Sequence, residues 1–480
     1  DMVGCMAWNT TRHLEIWYGV PGAGGILHSL NPRLSAEQLI YIIDHAEDQW
    51  ILIDHDIVGI LEPIAEKLPQ VKGYIVMTDS AHMPDTSLPN ALCYEDLVEA
   101  EDGMFSWVDG PEDDACGICF TSGTTGHPKG VLYSHRSNVL HSMVMVQPDM
   151  LGLSTTDTVM PVVPLFHANG WSTGFGIPMV GASVVMPGRM LDPASCYEML
   201  DTGKVTVTAA VPTVWLPLLS YLRENDLTLP YLDRVVIGGS ACPRAVIEAF
   251  QNDYGVKVLH AWGMTETSPL GTLCTPKPEV MALPPEEQLD TQEKVGHCPF
   301  TVDLAVRDDD DAEMLWDGTS QGRLMIRGPG VLRRYLKQDA DATDADDWFD
   351  TGDAATIDAN GYVRITDRFK DVIKSGGEWI SSIDMENAAV SHPEVFEAAA
   401  IGVPHPKWDE RPILMVVAQP GKAPDPGSII DLLRPHFAKW QLPDDVVFVD
   451  EIPHTATGKI SKLSIRRKLD AEGYALPEFR

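Results

Sequence analysis

The run Thr121-Ser122-Gly123-Thr124-Thr125-Gly126-His127-Pro128-Lys129-Gly130 constrains this chain more than any other stretch. It follows directly on an apolar segment with strand character, so hydroxyls, glycines and a lysine gather where a strand ends. Hydroxyls and backbone N–H groups donate to phosphate oxygens, glycines let the main chain come close, and Lys129 adds a positive point charge. The ordered pattern S-G-T-T-G-x-P-K-G fits a loop wrapped around a nucleoside triphosphate better than a plain surface turn. It is not a Walker loop, because the G-x-x-x-x-G-K-[ST] spacing is absent.

With 480 residues and 44% apolar content, the chain can bury two or three cores and is too long for one ordinary domain. Thirty-five Lys plus Arg against seventy Asp plus Glu leave a net charge of −35, which argues against nonspecific binding to nucleic acid or to an anionic membrane. Such an excess fits a salt-rich habitat, where counterions screen self-repulsion, as well as a simple lineage bias. No apolar run approaches the roughly 20 residues of a membrane span, so stable membrane insertion is not expected. A signal-peptide pattern is missing too, and a cytoplasmic enzyme is the expectation. Of eight cysteines, Cys116 and Cys119 form the one close pair, on the strand entering the phosphate loop. Without a second pair they read as buried thiols rather than as a zinc site.

The chain opens in mid-fold: residues 2–8 read as a buried strand and residues 10–18 as a helix spaced by Leu14, Trp17 and Tyr18, so further residues are expected upstream. Gly22-Ala23-Gly24-Gly25 invites a dinucleotide reading, but the rest of G-x-G-x-x-G and its acidic partner do not follow, which leaves helix packing. Strand-like runs at 50–53, 73–77, 205–210, 234–237 and 256–260 alternate with helical segments such as 243–252. That alternation predicts an α/β organisation with largely buried parallel strands.

Two polar loops follow apolar strands. Trp262-Gly263-Met264-Thr265-Glu266-Thr267 stands where ligand loops of α/β sheets sit, and triphosphate chemistry needs Mg²⁺ with an oxygen ligand such as Glu266. In Asp350-Thr351-Gly352-Asp353, Asp353 is suited to accept hydrogen bonds from both ribose hydroxyls. Residues 367–379 (D-R-F-K-D-V-I-K-S-G-G-E-W) pack charge and glycine around two aliphatics, the composition of an interdomain hinge. A compact block follows, with short strands at 398–403 and 412–418 and an amphipathic helix near 429–438. It ends on Thr457-Gly458-Lys459-Ile460-Ser461-Lys462.

Together these motifs, in order and spacing along nearly the whole chain, resemble the adenylate-forming superfamily of acyl-CoA synthetases, firefly-type luciferases and peptide-synthetase adenylation domains. The resemblance implies an α/β fold with a large N-terminal domain of stacked αβ subdomains plus a small mobile α+β C-terminal domain. The divisions are residues 1–366 for AMP binding, 367–371 for the hinge and 372–480 for the lid, with the family's N-terminal portion largely missing. It also implies ATP, Mg²⁺ and coenzyme A as cofactors. By the resemblance, Thr121, Ser122, Gly123, Thr124, Thr125, Gly126 and Lys129 hold the β- and γ-phosphates. Thr265 contacts the α-phosphate, and Glu266, with Thr121, holds Mg²⁺. Gly239, Ser240, His260, Ala261 and Trp262 line the adenine and acyl-adenylate site, and Asp353 and Arg368 hold the ribose. Lys370 is the hinge residue. Lys374 and Trp379 belong to the thioester-forming conformation, Gly376 and Gly377 to coenzyme A, and Lys459 to adenylation. The family more often has Tyr where this chain has Trp262, which keeps a stacking face and loses a hydroxyl.

The acid can be argued from charge. Amino-acid-activating members place an Asp after the Phe corresponding to Phe166, because an ammonium needs a carboxylate partner. This chain has His167 there, which fits an acid carrying a single carboxylate. Phe166-His167-Ala168-Asn169-Gly170-Trp171, with Ala7-Trp8-Asn9 upstream, looks closest to bacterial medium- and long-chain fatty acyl-CoA ligases and methylmercaptopropionate-CoA ligases. In that comparison Trp171 gates the acyl tunnel, and His167, Ala168, Gly239 and Gly263 border the substrate. The expected activity is ATP-dependent acid:CoA ligation through acyl-AMP, and the family leaves room for a homodimer. The alternatives are a luciferase-like oxygenase acting on the adenylate and an inactive adenylate-binding protein. A peptide-synthetase module is expected to continue into a carrier domain beyond residue 480.

Overall fold

The computed structural model describes residues 1–121, 127–369, 371–375, 378–455 and 459–477, apart from the side chains of Glu378 and Trp379. Two largely parallel sheets form its body. The first runs Ala91–Cys93, Gly73–Met77, Asp48–Asp54, Met2–Met6, Ile26–Ser29, Ala115–Thr121, Lys129–Ser134, and only the last pairing is antiparallel. Helix Ala36–Ala46 shows how sequence builds its cover. Ser35 caps it in a reciprocal box with Gln38, and Leu39, Ile42, Ile43 and Ala46 recur at helical spacing and are buried. Leu39, Ile42 and Ile43 share a core with Ile51, Ile53 and Tyr74. Each such Leu or Ile stabilises the fold by about 1.5–3 kcal/mol when fully buried.

The second sheet is ordered Leu270–Leu273, Lys257–Gly263, Arg234–Ile237, Val207–Ala210, Thr158–Pro161, Ser183–Val184. All four residues of Val207–Ala210 are buried, as expected of a strand covered on both faces. Trp215, Leu218 and Leu222 from helix Pro212–Glu224 close one side against Phe250.

A third, antiparallel sheet was not legible as such: Asp303–Arg307, Gly322–Arg327, Phe349–Ile357 and Val363–Arg368. Leu304 and Val306, Leu324 and Ile326, and Ala355 and Ile357 face one core, but Ala305, Met325 and Ala354 between them are buried too and the register shifts at two places, so no period of two shows in the sequence. The C-terminal block holds a fourth sheet, with Val395–His405 and Asp409–Ala418 as its long hairpin and Asp445–Phe448 alongside. Its core joins Met385, Leu414, Ile429 and Leu433.

Several boundaries differ from the sequence reading. The opening strand stops at Met6, because Asp54 captures the N–H of Trp8 at 2.8 Å. The segment read as helical at 243–252 is a helix at Arg244–Glu248 that widens into a π turn at Ala249–Asp253. The amphipathic helix expected to 438 spans Pro426–Leu433, since Pro435 has no N–H to continue the ladder. Gly22 to Gly25 form the turn leaving helix Thr11–Gly22, with Gly24 at φ 80°. The expected division at 366 falls inside strand Val363–Arg368.

Arginine ion pairs absorb only part of the acid excess, and Asp309, Asp310, Asp339, Asp346 and Asp347 stand exposed. With a net charge of −35, repulsion between such groups should weaken the fold at low ionic strength. The melting temperature is expected to rise with potassium chloride and level off near about 1 M, where the Debye length is about 3 Å. A melting temperature that is flat or falls over that range would contradict this.

Candidate active site

A cavity of about 820 Å³ opens at the carboxyl ends of the second sheet, where open α/β sheets place ligands. Ala209, Ala210, Val236 and Ala261 form its floor, and Gly238 and Gly239 leave it open. Gly239 has φ 81°, a conformation that suits glycine, and an added Cβ would meet Val211 at 3.0 Å. Thr121 and Lys129 reach it from the first sheet. Thr455 and Lys459 reach it from the C-terminal block.

One end is charged. Thr265–Thr267 make a single tight turn, fixed where Tyr133 Oη donates to the Thr265 carbonyl at 2.9 Å and Leu332 N–H to the Glu266 carbonyl at 2.7 Å. The Glu266 side chain is buried and accepts from Tyr335 Oη at 3.0 Å. Lys129 Nζ lies 4.8 Å from the centre of the same Tyr335 ring. Arg368 Nε meets Asp353 Oδ1 at 2.8 Å, while Trp262 Nε1 donates to Asp353 Oδ2 at 2.9 Å. The indole therefore supplies a polar contact that a loss of the tyrosine hydroxyl seemed to remove.

Burial acts in opposite directions on the two charges needed here. It raises the Glu266 carboxyl, against the pull of Tyr335, Arg368 and Lys459. It lowers the Lys459 ammonium to about 8, helped by Arg368 and opposed by Asp353 and Glu266. His167 is lowered to about 3 by burial first and then by the charges of Lys459 and Arg33, so it is neutral at ordinary pH. An anion entering between these cations relieves the penalty.

The other end is apolar, lined by Met145, Leu151, Val163, Val214, Val236 and Leu270. Asn9 shapes its approach: its Nδ2 donates to the carbonyls of Pro161 at 2.7 Å and Val163 at 2.9 Å, and its Oδ1 accepts from Leu165 N–H at 2.8 Å. This holds the loop that delivers Phe166 and His167. Residues Ala168, Asn169, Gly170, Trp171 and Ser172 then run through a left-handed turn with φ between 45° and 56°. Left-handed helical backbone costs about 1–2 kcal/mol per residue for L-amino acids, so only dense anchoring sustains it. Ala168 and Trp171 face the cavity; Asn169 and Ser172 are buried.

Of the residues expected from sequence, Thr121, Lys129, His167, Ala168, Trp171, Gly239, Ala261, Trp262, Gly263, Thr265, Glu266, Arg368 and Lys459 line this one cavity. Ser240 is exposed outside it, and His260 is buried behind it with a pKa lowered to about 4 by burial. Asp353 is also behind the wall, both its oxygens engaged, while Asp350, Thr351 and Gly352 face the cavity. Lys374 is exposed on strand Ile373–Ser375, away from the cavity. Ser122, Gly123, Thr124, Thr125, Gly126, Lys370, Gly376, Gly377 and the Trp379 side chain lie outside the described residues. Cys116 and Cys119 are both buried free thiols. Sequence reasoning missed Tyr335, Tyr133 and Arg33. The one available signal was Tyr335 as a lone aromatic after Arg333-Arg334 in a polar stretch.

Among the described residues no group of three or more His, Cys, Asp or Glu could hold a metal by itself. A lone buried carboxylate facing cations fits Mg²⁺ whose remaining ligands are phosphate oxygens and water.

Comparison with known proteins places the fold in a known family. The model of the AMP-binding enzyme family matches residues 1–336, and that of the AMP-binding enzyme C-terminal domain matches residues 384–459. A medium-chain-fatty-acid–CoA ligase of Ectopseudomonas oleovorans is 45% identical over 98% of this chain and 86% of its own length. A 3-methylmercaptopropionyl-CoA ligase of Ruegeria lacuscaerulensis is 47% identical over 97% and 86%. ATP-bound MatB from Rhodopseudomonas palustris superposes with a TM-score of 0.83 at 25% identity, covering 99% of this chain and 90% of that one. The fold is also that of the anthranilate CoA ligase AuaEII, with a TM-score of 0.88 at 24% identity over 98% and 88%. A cavity at the sheet ends with a buried carboxylate and converging lysines is thus set in a known frame, and the chain belongs to the AMP-binding enzyme family.

Proposed function

We propose that this chain joins a fatty or thioether carboxylic acid, methylmercaptopropionate being one example, to coenzyme A at the expense of ATP. In the first half-reaction a carboxylate oxygen attacks the α-phosphorus and the bond to pyrophosphate breaks, giving acyl-AMP. In the second, the coenzyme A thiol loses its proton, its sulfur attacks the acyl carbon, and AMP leaves. The single observation that carries the reading is the cavity's polarity: cations and Glu266 at one end, aliphatic side chains at the other. Among the described residues no carboxylate lines the apolar end to receive an ammonium, so amino acids fit poorly. The two fatty and thioether acid ligases among the relatives agree.

The residues divide the work. Lys129 and Lys459 draw the phosphates, Thr265 faces the α-phosphate, and Arg368 with Asp353 takes the ribose side. Trp262 offers a flat face to the base, and neutral His167 orients the acid's carboxylate. Glu266 and Thr121 would hold Mg²⁺, which would supply charge neutralisation for the phosphates. Positioning and charge stabilisation account for the rate, since phosphoryl chemistry asks little else of the protein. Residues 1–366 serve as the nucleotide body and 372–480 as a lid, with the hinge around Lys370 in 367–371 beginning in the last two residues of strand Val363–Arg368. Lys459 inside the cavity and Lys374 outside it correspond to the adenylating posture. A turn of the lid would exchange Lys459 for Lys374, Trp379 and the glycines Gly376 and Gly377 that accompany coenzyme A. The cytoplasm, which supplies ATP and coenzyme A, is the matching location.

Three outcomes are expected. In a coenzyme A-dependent AMP-release assay, butyrate, hexanoate and methylmercaptopropionate should turn over faster than any free amino acid; the reverse order rules the reading out. Glu266→Gln should lower pyrophosphate release by about 10² or more with the fold intact, and near-normal release would remove Glu266 from the metal site. For the pH dependence, Lys459 acts as a cation, so its contribution is present below its pKa and lost above it. With that pKa at about 8, kcat/KM for ATP in adenylation should fall about tenfold from about pH 7 to about pH 9. Lys459→Arg should flatten that limb, and a wild-type profile already flat would contradict the assignment.

A further inference from the structure

Helix His135–Met145 backs the cavity with one face. Ser134 caps it in a reciprocal box with Ser137, which fixes where the first turn begins. Asn138, His141, Ser142 and Met145 follow at helical spacing and are all buried. Each of three touches a different part of the site. Met145 lines the apolar end directly. His141 Nε2 accepts the N–H of cavity residue Leu270 at 3.2 Å, and burial lowers its pKa to about 4, keeping it a neutral acceptor. Asn138 Oδ1 accepts from Asn169 Nδ2 at 2.7 Å, and Asn138 Nδ2 donates to Cys116 Sγ at 3.2 Å.

Asn169 is the second residue of the left-handed turn that carries Trp171. At the far end of that turn, Ser172 Oγ donates to the Ser268 carbonyl at 2.8 Å, directly after the Thr265–Thr267 turn. The Trp171 indole is held close: a Cβ added at Gly238 would lie 3.1 Å from its Cη2. An unfavourable backbone stretch is thus held by the Asn169 side chain on Asn138 near one end and Ser172 Oγ on the Ser268 carbonyl at the other, with Thr173 Oγ1 donating to the Gly170 carbonyl at 2.6 Å between them, and its product is the location of one large side chain in the cavity.

We propose that Asn138 is a positioning residue for acyl selectivity: by anchoring Asn169 it sustains the left-handed turn and so fixes the Trp171 indole in the acyl end of the cavity. Without the Asn138 acceptor, the Asn169 amide is left buried and unpaired, and the turn relaxes toward right-handed or extended backbone. The indole then withdraws and the acyl end lengthens. This rests on reading the cavity as an acyl site; if wild-type protein activates no carboxylate, that reading fails and the role of Asn138 falls with it.

The test compares Asn138→Leu, which removes the acceptor at similar size, with Asn138→Asp, which keeps an oxygen for Asn169. For each, kcat/KM is measured with butyrate and octanoate, together with KM for ATP and the melting temperature. Asn138→Leu should raise the octanoate-to-butyrate ratio about tenfold, chiefly through KM for the acid, with KM for ATP within about twofold. Asn138→Asp should restore a ratio near wild type. Asn169→Ala cuts the same bond from the other side and should reproduce the shift, which keeps the test decisive if the aspartate variant folds poorly. A ratio unchanged in both Asn138→Leu and Asn169→Ala, or a parallel loss with both acids and with ATP, would overturn the proposal.

Discussion

The structure depends on bringing Lys459, from the C-terminal block, into the cavity opposite Glu266 and Arg368. Coulombic attraction between a lysine and a carboxylate is small in water and large where water is excluded. The same exclusion makes each charge costly alone, which is why burial depresses the lysine and raises the carboxyl. A triphosphate with Mg²⁺ supplies what both lack. Around this constraint the rest is arrangement: the second sheet provides the floor, the Thr265–Thr267 turn the carboxylate, and Tyr335 ties Glu266 and Lys129 together.

The apolar end obeys a different constraint. It needs a rigid wall close to small residues, so Gly238 and Gly239 leave room and a strained turn delivers Trp171. Strain of this kind persists where neighbours over-determine the backbone. Asn9, Asn138 and Ser172 are such neighbours, each using a buried polar side chain to hold main chain or its anchor.

Much of this was legible in the sequence because the motifs that touch phosphate are local and contiguous. The phosphate loop and the Thr265-Glu266 pair could be read from residue type and order, Lys459 only through the family resemblance, and the described members meet in one cavity. What escaped the sequence was long-range. Nothing near Tyr335 announces that it bonds Glu266, 69 residues away. The antiparallel sheet was hidden because its strands are buried on both faces and carry register shifts, so they show no alternation. Asp353 was read as suited to accept from both ribose hydroxyls; what the sequence did not show is that Trp262 and Arg368 meet its oxygens, a pairing that only the folded register between strands Phe349–Ile357 and Val363–Arg368 creates. Helix ends were misjudged where a proline cuts the ladder, as at Pro435.

A lysine presented from a separate block implies a division of labour between two half-reactions. The most direct measurement is both half-reactions on Lys459→Ala. Acyl-AMP formation should fall by about 10² to 10³, the scale of one lost charge-stabilising donor, while supplied acyl-AMP is still converted to acyl-CoA at near wild-type rate. Equal slowing of the two steps would contradict a lysine that serves adenylation alone.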